Sequence, residues 1–334
     1  MMLFEDVLKI KNGKNQRAVE DPDGQYPIYG SGGAMGRAND YICEADTVII
    51  GRKGNINKPI YVEEPFWNVD TAFGLEANRT LLLPKYLYYF CLWFDFERLN
   101  KAVTIPSLTK ADLLKIEIDL PGVDKQTDIA NRLEQIEDII ALRQRQLQAL
   151  DNLIKARFVE MFFDKGYPVL PWNDVFNTTT GKLDSNAMVE NGKYPFFTCA
   201  KEVFRIDRYA FDQEALLLAG NNAAGKYDVK YYKGKFNAYQ RTYVLGLKQN
   251  WSYRLFQYQL EDKLAYLQQL SLGGLTKYLT MKILGELSFI IPPMDKQIEF
   301  EQFVKQVDKS KVAVQKSLDE TQVLFDALMQ KYFG

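Results

Sequence analysis

Histidine is absent from this sequence of 334 residues. Histidine is the most common general base in enzymes and the most common ligand of transition metals, so its absence argues against many enzyme classes and many metal centres together. We therefore expect this chain to have no catalytic residue, no metal site and no cofactor.

Cysteine is scarce, and so are long apolar runs. The three cysteines, Cys43, Cys91 and Cys199, are odd in number and far apart, which favours reduced thiols over a disulfide framework or a zinc site. No stretch approaches 18 uninterrupted apolar residues, and the segment from Met1 to Asp6 lacks the basic and apolar regions of a secretion signal. We expect a cytoplasmic protein without membrane contact.

The chain carries almost no net charge. Its balance is −1, so any binding to nucleic acid would depend on local basic surfaces or on basic partner subunits. Hydrophobic residues make up 47% and charged residues 25%, as is ordinary for a folded globular protein. The length predicts about two domains.

An internal repeat organises the sequence. Asp124-Lys125-Gln126 recurs 171 positions later as Asp295-Lys296-Gln297, and this kind of self-similarity indicates repeated structural units. The same register holds without a gap at six further pairs of identical residues: Leu113 and Leu284, Pro121 and Pro292, Gln135 and Gln306, Leu147 and Leu318, Leu153 and Leu324, and Phe162 and Phe333.

Each copy of the repeat predicts a long helix with an apolar seam. The seam residues recur at three- and four-residue steps, which is the spacing of helices that pair with each other. An amphipathic helix on an ordinary core is the alternative, but two helices in matched register favour pairing. Arg143, Lys311 and Thr321 interrupt the seams, which otherwise consist of Ile129, Leu133, Ile136, Ile140, Leu147, Leu150 and Ile154, and of Phe300, Val304, Val307, Val314, Leu318 and Phe325.

The repeat continues upstream of both helices, with an offset of 168 residues: Gly13-Lys14 matches Gly181-Lys182, and Tyr26-Pro27 matches Tyr194-Pro195. Each half begins with about 120 residues of mixed character, in which short β-rich runs are bounded by glycine, asparagine and proline. We predict an α+β fold: two mixed α/β domains in a tandem pseudo-twofold repeat, each followed by a long helix. The predicted divisions are 1–120, 121–162, 163–291 and 292–334.

Motifs that would indicate catalysis are missing. The run from Gly30 to Gly36 lacks the spacing of dinucleotide and phosphate loops and predicts a flexible loop. The double proline Pro292-Pro293 lacks the flanking residues of an amino-methyltransferase motif. Glu63, Glu64 and Asp70 have no spacing that indicates a nuclease, so surface acids are the simpler interpretation.

The segment before the first helix carries a family resemblance. Thr104-Ile105-Pro106-Ser107-Leu108 is followed by an apolar strand that closes on Pro121, and then by the helix that starts at Asp124-Lys125-Gln126. This pattern resembles the specificity subunits of type I restriction-modification enzymes, in which it ends each target-recognition domain. The second copy has Leu272-Gly273-Gly274-Leu275-Thr276-Lys277 in place of the Ile-Pro turn.

The resemblance implies a protein whose two long helices pair as an antiparallel coiled coil and hold two target-recognition domains apart. Each domain would read half of a bipartite asymmetric site in double-stranded DNA, and helix length would set the gap between the half-sites. Two methyltransferase subunits would bind this scaffold, and endonuclease/translocase subunits would join them. A coiled-coil adaptor for protein partners and a divergent nuclease are the alternatives.

One loop in each domain has the composition of a DNA-binding segment. Lysine and arginine can meet phosphates or guanine edges, asparagine can pair with adenine, and glycine allows close approach of the backbone. A solvated turn is the alternative for both loops. The candidates are Arg52, Lys53, Asn55, Asn57 and Lys58 in the first loop, and Asn221, Asn222, Lys226 and Tyr227 in the second.

A basic and aromatic patch follows the second loop, and it could equally be a hairpin with lysines on its wet face. Its candidates are Lys230, Lys233, Tyr239 and Arg241. Gln240-Arg241-Thr242 there aligns with Val69-Asp70-Thr71 in the first half. Further phosphate-binding candidates, with plain turns or a short helix start as alternatives, are Asn12, Lys14, Thr180, Lys182, Lys110 and Lys277.

Overall fold

The computed structural model describes residues 1–101, 104–223 and 225–334. They form two compact units. Unit 1 comprises Met1–Gln146 together with Val314–Gly334, and unit 2 comprises Leu147–Ala313. The boundaries between them fall inside the two long helices, so each unit contains part of both. The division into recognition domains at residues 120 and 291 stays a prediction.

Unit 1 is built on a four-stranded sheet in the order β2-β8-β5-β6 and a three-stranded sheet in the order β4-β3-β7. Its strands are β1 (Met2–Leu3), β2 (Leu8–Asn12), β3 (Tyr26–Gly30), β4 (Gly33–Ala38), β5 (Thr47–Gly51), β6 (Ile60–Val62), β7 (Trp67–Asn68), β8 (Ala72–Ala77) and β9 (Glu117–Ile118). Its helices are α1 (Phe4–Val7), α2 (Pro84–Trp93), a 3₁₀ turn (Phe96–Leu99), α3 (Lys110–Leu113) and parts of α4 (Val123–Phe162) and α9 (Met294–Phe333).

Strand β5 lies in the interior of its sheet because its sequence suits that position. All five of its residues are buried, and Val48, Ile49 and Ile50 are β-branched side chains that pack well on a pleated surface. Helix α2 covers this sheet; it begins with Pro84 at its first position, where the missing N–H group has no partner to lose. The core between them includes the fully buried rings of Tyr86 and Tyr89.

Unit 2 contains one six-stranded sheet in the order β11-β17-β14-β16-β12-β13. Its strands are β10 (Val169–Pro171), β11 (Phe176–Thr180), β12 (Tyr194–Phe197), β13 (Phe204–Ile206), β14 (Phe211–Ala219), β15 (Asn221–Ala223), β16 (Val229–Ala238), β17 (Thr242–Leu247), β18 (Thr276–Tyr278) and β19 (Ser288–Ile290). Its helices are α5 (Trp172–Val175), a 3₁₀ turn (Ser185–Ala187), α6 (Tyr253–Asp262), α7 (Leu264–Leu270), α8 (Met281–Gly285) and parts of α4 and α9 (Met294–Phe333).

The two units share a strand plan and differ at one strand. In unit 2 the single strand β16 pairs with both β14 and β12. In unit 1 two short strands take the place of β16: β6 pairs with β5, and β7 pairs with β3. Pro65 lies between β6 and β7 and cannot donate a ladder hydrogen bond, which accounts for the break.

The long helices α4 and α9 have 40 residues each and run antiparallel. In unit 2 the Lys311 ammonium lies 2.6 Å from Asp151, and Arg157 lies 2.6 Å from Glu299, so a later position in one helix meets an earlier one in the other. Lys311, which interrupts the seam, is thus held by an ion pair. The predicted α+β fold with paired antiparallel helices is confirmed.

A buried glutamine fastens the start of each long helix. Gln126 is fully buried; its side chain accepts a hydrogen bond from the N–H of Leu83 at 2.9 Å and donates to the carbonyl of Pro121 at 2.9 Å. In unit 2, Gln297 accepts from the N–H of Ser252 at 2.9 Å and donates to the carbonyl of Pro292 at 2.8 Å. The repeated glutamine therefore has a structural role, because it satisfies backbone groups where the helix meets its unit.

Candidate nucleic-acid interface

The end of the central strand in unit 1 is held by a set of backbone hydrogen bonds, which we call the strand-end frame. The N–H of Arg52 donates to the carbonyl of Thr71 at 2.7 Å, and the N–H of Leu108 donates to the carbonyl of Arg52 at 3.0 Å. Ala72 closes the adjoining turn by donating to Val69 at 3.0 Å. The frame thus joins the loop after β5, the turn before β8 and the segment before α3.

Unit 2 has the same frame with different residues. The N–H of Gly220 donates to the carbonyl of Arg241 at 2.8 Å, and Leu279 donates to the carbonyl of Gly220 at 2.8 Å. Thr242 closes the turn by donating to Tyr239 at 2.8 Å. Two regions of unlike sequence therefore present side chains from one backbone arrangement.

The frame corrects the sequence alignment of this turn. Aligning Arg241 with Asp70 is wrong by one residue, because the bonded partner of Gly220 is Arg241 and that of the equivalent Arg52 is Thr71. Strand pairing agrees, since Ala219 opposes Thr242 where Gly51 opposes Ala72. Arg241 is thus the counterpart of Thr71.

Three candidates from the first loop are exposed beside the frame of unit 1: Arg52, Lys53 and Asn55. The N–H of Lys53 shares the carbonyl of Thr71 with Arg52, at 3.3 Å, and the Arg52 guanidinium lies 5.8 Å from the centre of the Phe73 ring. Lys14 is also exposed, and its neighbour Gly13 donates to the carbonyl of Ala72 at 3.2 Å. The side chains of this group, the unit 1 surface, are Lys14, Arg52, Lys53 and Asn55.

The other unit 1 candidates have structural contacts or stand apart from that group. Asn57 donates to Asp95 at 2.8 Å and accepts from the N–H of Phe96 at 2.7 Å, so its amide holds the 3₁₀ turn. Lys110 begins α3 and donates to the carbonyl of Ile10 at 2.8 Å. Asn12 is exposed at the end of β2, and Lys58 is exposed after Asn57.

The second loop and its neighbours converge at the frame of unit 2. Asn222 opposes Lys277 across the pair β15 and β18, and Thr180, Arg241 and Tyr278 line a cavity of about 210 Å³. Arg241 is exposed, as are Lys182 and Lys226, while Ala224 of this loop lies outside the described residues. The residues of this group, the unit 2 surface, are Thr180, Lys182, Asn221, Asn222, Lys226, Arg241 and Lys277.

Four candidates of unit 2 are engaged elsewhere. Tyr227 is buried in the core, and that burial raises its pKa. Lys230 forms an ion pair with Asp228 and donates to the carbonyl of Ala200 at 2.9 Å, and Lys233 lies 3.1 Å from Glu214. Tyr239 is half-buried in the turn of the frame. The patch on β16 therefore fits a hairpin whose lysines pair with its own acids.

Residues that the sequence did not single out also border the frames. Ser31 lies at the tip of the hairpin formed by β3 and β4, beside Gly51 and Gly54. The glycine run from Gly30 to Gly36, predicted as a flexible loop, is that hairpin. Nothing in the run marked Ser31, because its position depends on a strand pairing distant in sequence.

The described residues contain neither a candidate metal site nor a helix that could span a membrane. Within residues 1–101, 104–223 and 225–334, no group of cysteine, aspartate and glutamate side chains is placed to hold a metal ion. Over the same part of the chain, no helix combines the length and the apolar character that crossing a membrane requires.

Both copies of the repeat match one known protein family. The sequence model described as "Type I restriction modification DNA specificity domain" matches residues 2–152 and again residues 165–321. The chain belongs to this family. The resemblance drawn from Ile105-Pro106 and the repeated Asp-Lys-Gln motif is confirmed, and each half of the chain carries one copy of the specificity domain.

Named members of the specificity-domain family match parts of the chain. The specificity subunit of the type I restriction enzyme EcoDI from Escherichia coli is 56% identical over 72 residues, 22% of this chain and 16% of that protein. A Mycoplasma pneumoniae protein whose name assigns it to the type I specificity subunits is 30% identical over 164 residues, 46% of this chain and 60% of that protein. Each match thus spans less than two thirds of the relative.

Solved structures of the same kind share the fold of this specificity-domain protein. The S subunit of a type I restriction-modification system from M. genitalium has a TM-score of 0.65 at 17% identity, with 100% of this chain and 95% of that chain covered. A chain from a structure concerned with complex assembly and conformational transition of the type I R-M system has a TM-score of 0.56 at 15% identity, covering 99% and 96%. At these identities the likeness concerns the fold.

Proposed function

We propose that this chain is the DNA-specificity subunit of a type I restriction-modification enzyme and reads a bipartite asymmetric site, one half with each unit. The observation that carries the proposal is the repeated strand-end frame, which presents different side chains in two copies of one specificity domain. A shared backbone with unlike side chains is what two half-sites of different sequence require, because phosphate contacts position a protein while base contacts specify the sequence.

The charges at the frames support contact with DNA despite the balance of −1. On the unit 1 surface, Arg52 and Lys53 form no ion pair with any described residue, and on the unit 2 surface the same holds for Lys226 and Arg241. By contrast Lys233, on β16, is paired with Glu214. Cations left unpaired at one surface are available to phosphates and base edges.

The assembly we propose gives this chain no chemistry of its own. Two methyltransferase subunits would bind the scaffold of long helices, and endonuclease/translocase subunits would complete the enzyme in the cytoplasm. Residues 1–120 and 163–291 would be the target-recognition domains, and residues 121–162 and 292–334 the spacer helices. The absence of histidine agrees with a subunit that recognises the DNA site and leaves methyl transfer and cleavage to its partners.

The decisive experiment is to map methylated bases in cells that express this chain with a cognate methyltransferase. We expect one motif, split into two unlike halves with a fixed gap. Modification without a split motif would contradict the proposal. An adaptor would leave the methylation pattern independent of this chain, and a nuclease would cleave DNA alone with a metal ion.

A binding experiment with the assembled methyltransferase complex separates the proposed surfaces from other cations. Arg52→Ala with Lys53→Ala should weaken binding and reduce the salt dependence, because about one counterion is released for each phosphate contact. Lys233→Ala is the matched control, since this lysine is exposed but already paired with Glu214. Equal losses in both variants would contradict a specific role for the unit 1 surface.

A further inference from the structure

Each strand-end frame has an arginine at its central backbone hydrogen bond, but the arginine is the donor residue in unit 1 and the acceptor residue in unit 2. In unit 1 the bonded pair is Arg52 and Thr71, with the arginine after the central strand. In unit 2 the equivalent pair is Gly220 and Arg241, with the arginine in the turn. Each unit therefore has one guanidinium beside the equivalent hydrogen bond, and a different chain segment supplies it in each unit.

The structure gives a steric reason for the exchange in unit 2. A Cβ atom on Gly220 would lie 2.4 Å from the carbonyl oxygen of Arg241 and 3.0 Å from the ring of Tyr243. That ring is fixed, because the Tyr243 hydroxyl donates to the carbonyl of Leu279 at 3.0 Å. No side chain fits at residue 220 without a shift, so a guanidinium at this frame has to come from the turn.

Unit 1 has room where unit 2 does not. Phe73 occupies the position of Tyr243 and opposes Ile50 as Tyr243 opposes Leu218. Phenylalanine has no hydroxyl to tie its ring to the next segment, and Arg52 lies over this ring at 5.8 Å.

Both arginines are exposed, and neither forms an ion pair or a side-chain hydrogen bond with the described residues. A guanidinium presents two parallel N–H donors that match the O6 and N7 acceptors of guanine, the most common specific contact between proteins and DNA. A lysine at the same place would supply charge without that planar pair of donors. These two residues are thus suited to reading a base rather than only holding the backbone.

We propose that Arg52 and Arg241 each read a guanine, from opposite sides of the same frame, so that the guanine occupies a different position within each half-site. The inference rests on the proposed function. Residues paired across antiparallel strands lie about 4.5 to 5.5 Å apart, while successive bases along a strand rise about 3.4 Å. Moving the arginine across the pair displaces its contact by about one or two base pairs.

The test exchanges the arrangement of unit 2 into unit 1 and maps the resulting methylated motif. The full complex with its methyltransferase carries Arg52→Gly, Thr71→Arg, or both, and the probe is the host genome together with a library of bipartite duplexes. Arg52→Gly should lower discrimination at one guanine of the first half-site by about 5- to 140-fold. The double variant should create a guanine preference one or two base pairs away.

Two conservative variants separate base reading from charge. Arg52→Lys and Arg241→Lys should retain most of the affinity and lose discrimination at one base pair, each in its own half-site. A phosphate contact would instead weaken binding to all sequences alike, without a change in the motif. The untouched half-site in the same complex reports that the protein is folded and assembled.

The outcomes distinguish this inference from the function on which it rests. A bipartite motif that keeps the same guanine in both Arg52→Gly and Arg241→Thr overturns the reading role while the proposed function stands. A new preference that appears far from the lost guanine overturns the shared-frame geometry. If the unmodified chain directs no bipartite motif, the proposed function itself has failed.

Discussion

The two units differ most where a short helix meets the paired long helices. In unit 1, Tyr86 and Trp93 of α2 pack on the ring of Phe333, with centroids 5.1 and 6.4 Å apart. In unit 2, where Ser252 precedes α6 as Leu83 precedes α2, the corresponding positions hold Leu255 and Asp262, and Asp262 lines an open cavity of about 520 Å³. At these two positions unit 1 has aromatic rings, whereas unit 2 has a buried aliphatic side chain and a carboxylate.

This difference shows that the two units keep the same fold although only some of their junction contacts are the same. Both junctions keep the buried glutamine at the helix start and an aromatic residue at the end of the partner helix, and Phe162 lies 5.5 Å from the ring of Phe300 in unit 2. The remaining positions are free to vary. We therefore expect matched substitutions in the two units to have unequal effects wherever the junctions differ.

The largest difference is expected between the buried Tyr86 of α2 and the half-exposed Arg254 of α6. Tyr86 is almost fully buried among aromatic rings, so Tyr86→Ala should lower the stability of unit 1 by about 3 to 5 kcal/mol. The Arg254 side chain is 34% exposed and lies 3.8 Å from Asp308, so Arg254→Ala should cost unit 2 about 1 kcal/mol or less. Hydrogen exchange of the sheet amides measures each unit separately.

Tyr86→Phe is the control for that comparison. It removes only the hydrogen bond from the Tyr86 hydroxyl to the carbonyl of Asp119, at 3.1 Å, and should cost about 1 kcal/mol. Similar losses for Tyr86→Ala and Arg254→Ala would show that the ion pair of Arg254 with Asp308 is as important for unit 2 as the ring of Tyr86 is for unit 1.

The buried glutamines should give a smaller contrast. Gln126 also donates a third hydrogen bond, to the carbonyl of Leu81 at 2.8 Å. Among the described residues, Gln297 has no counterpart of this bond. Because each buried polar group left unpaired costs about 1 to 3 kcal/mol, Gln126→Ala should cost roughly 3 kcal/mol and Gln297→Ala roughly 2. Gln135→Ala and Gln306→Ala, at exposed positions of the same helices, are the matched controls. A larger loss of stability from Gln297→Ala than from Gln126→Ala would contradict the larger role assigned to Gln126.

Two glycines should instead behave alike, because the frames they border are alike. A Cβ atom on Gly13 would lie 1.8 Å from the carbonyl oxygen of Val69, and one on Gly181 would lie 1.8 Å from that of Ala238. Each alanine substitution should cost about 1 to 3 kcal/mol by overpacking. Gly122→Ala and Gly285→Ala, where a Cβ meets nothing within 4 Å, are the controls. Unequal losses at Gly13 and Gly181 would show that the frames differ in rigidity.

The sequence predicted the long helices, their pairing and the tandem organisation, because a seam repeated at helical spacing is local information. It also predicted that Arg52, Lys53, Asn221 and Asn222 lie in equivalent loops, since both loops follow an apolar strand. What failed was the alignment of Arg241, which depends on one hydrogen bond between segments about 20 residues apart. A single-residue shift of this kind leaves no trace in composition or periodicity.

The side chains that turned out to be structural were hidden for a related reason. Asn57 and Lys230 have the residue types of DNA-binding positions, but their partners, Asp95 and the carbonyl of Ala200, are distant in sequence. Tyr227 was placed in an exposed loop because of the glycine and lysine before it, whereas its ring belongs to the core. Composition identifies a loop, and only the fold determines which of its side chains face solvent.

The smallest predicted effect concerns pH and again separates the units. In unit 1, Glu137 accepts a hydrogen bond from the Tyr89 hydroxyl at 2.7 Å, and burial raises its pKa above the usual 4.5. The hydrogen bond from Tyr89 and the charge of Lys85 oppose this increase in pKa, while Glu134 and Asp138 add to it. Folded unit 1 therefore binds more protons than the unfolded chain just above pH 4.5, so its stability should decrease as the pH rises through that window.

Substituting Glu137→Gln should flatten this decrease, since a glutamine keeps an acceptor for Tyr89 without a charge. Asp308 holds the corresponding position in unit 2 and faces Arg254 instead of a tyrosine, so Asp308→Asn is the control and should leave the pH profile of unit 1 unchanged. Hydrogen exchange of the unit 1 sheet amides from pH 4.5 upward measures the slope, corrected for the intrinsic exchange rate. If Glu137→Gln left the slope intact, burial of this carboxylate would not be its cause.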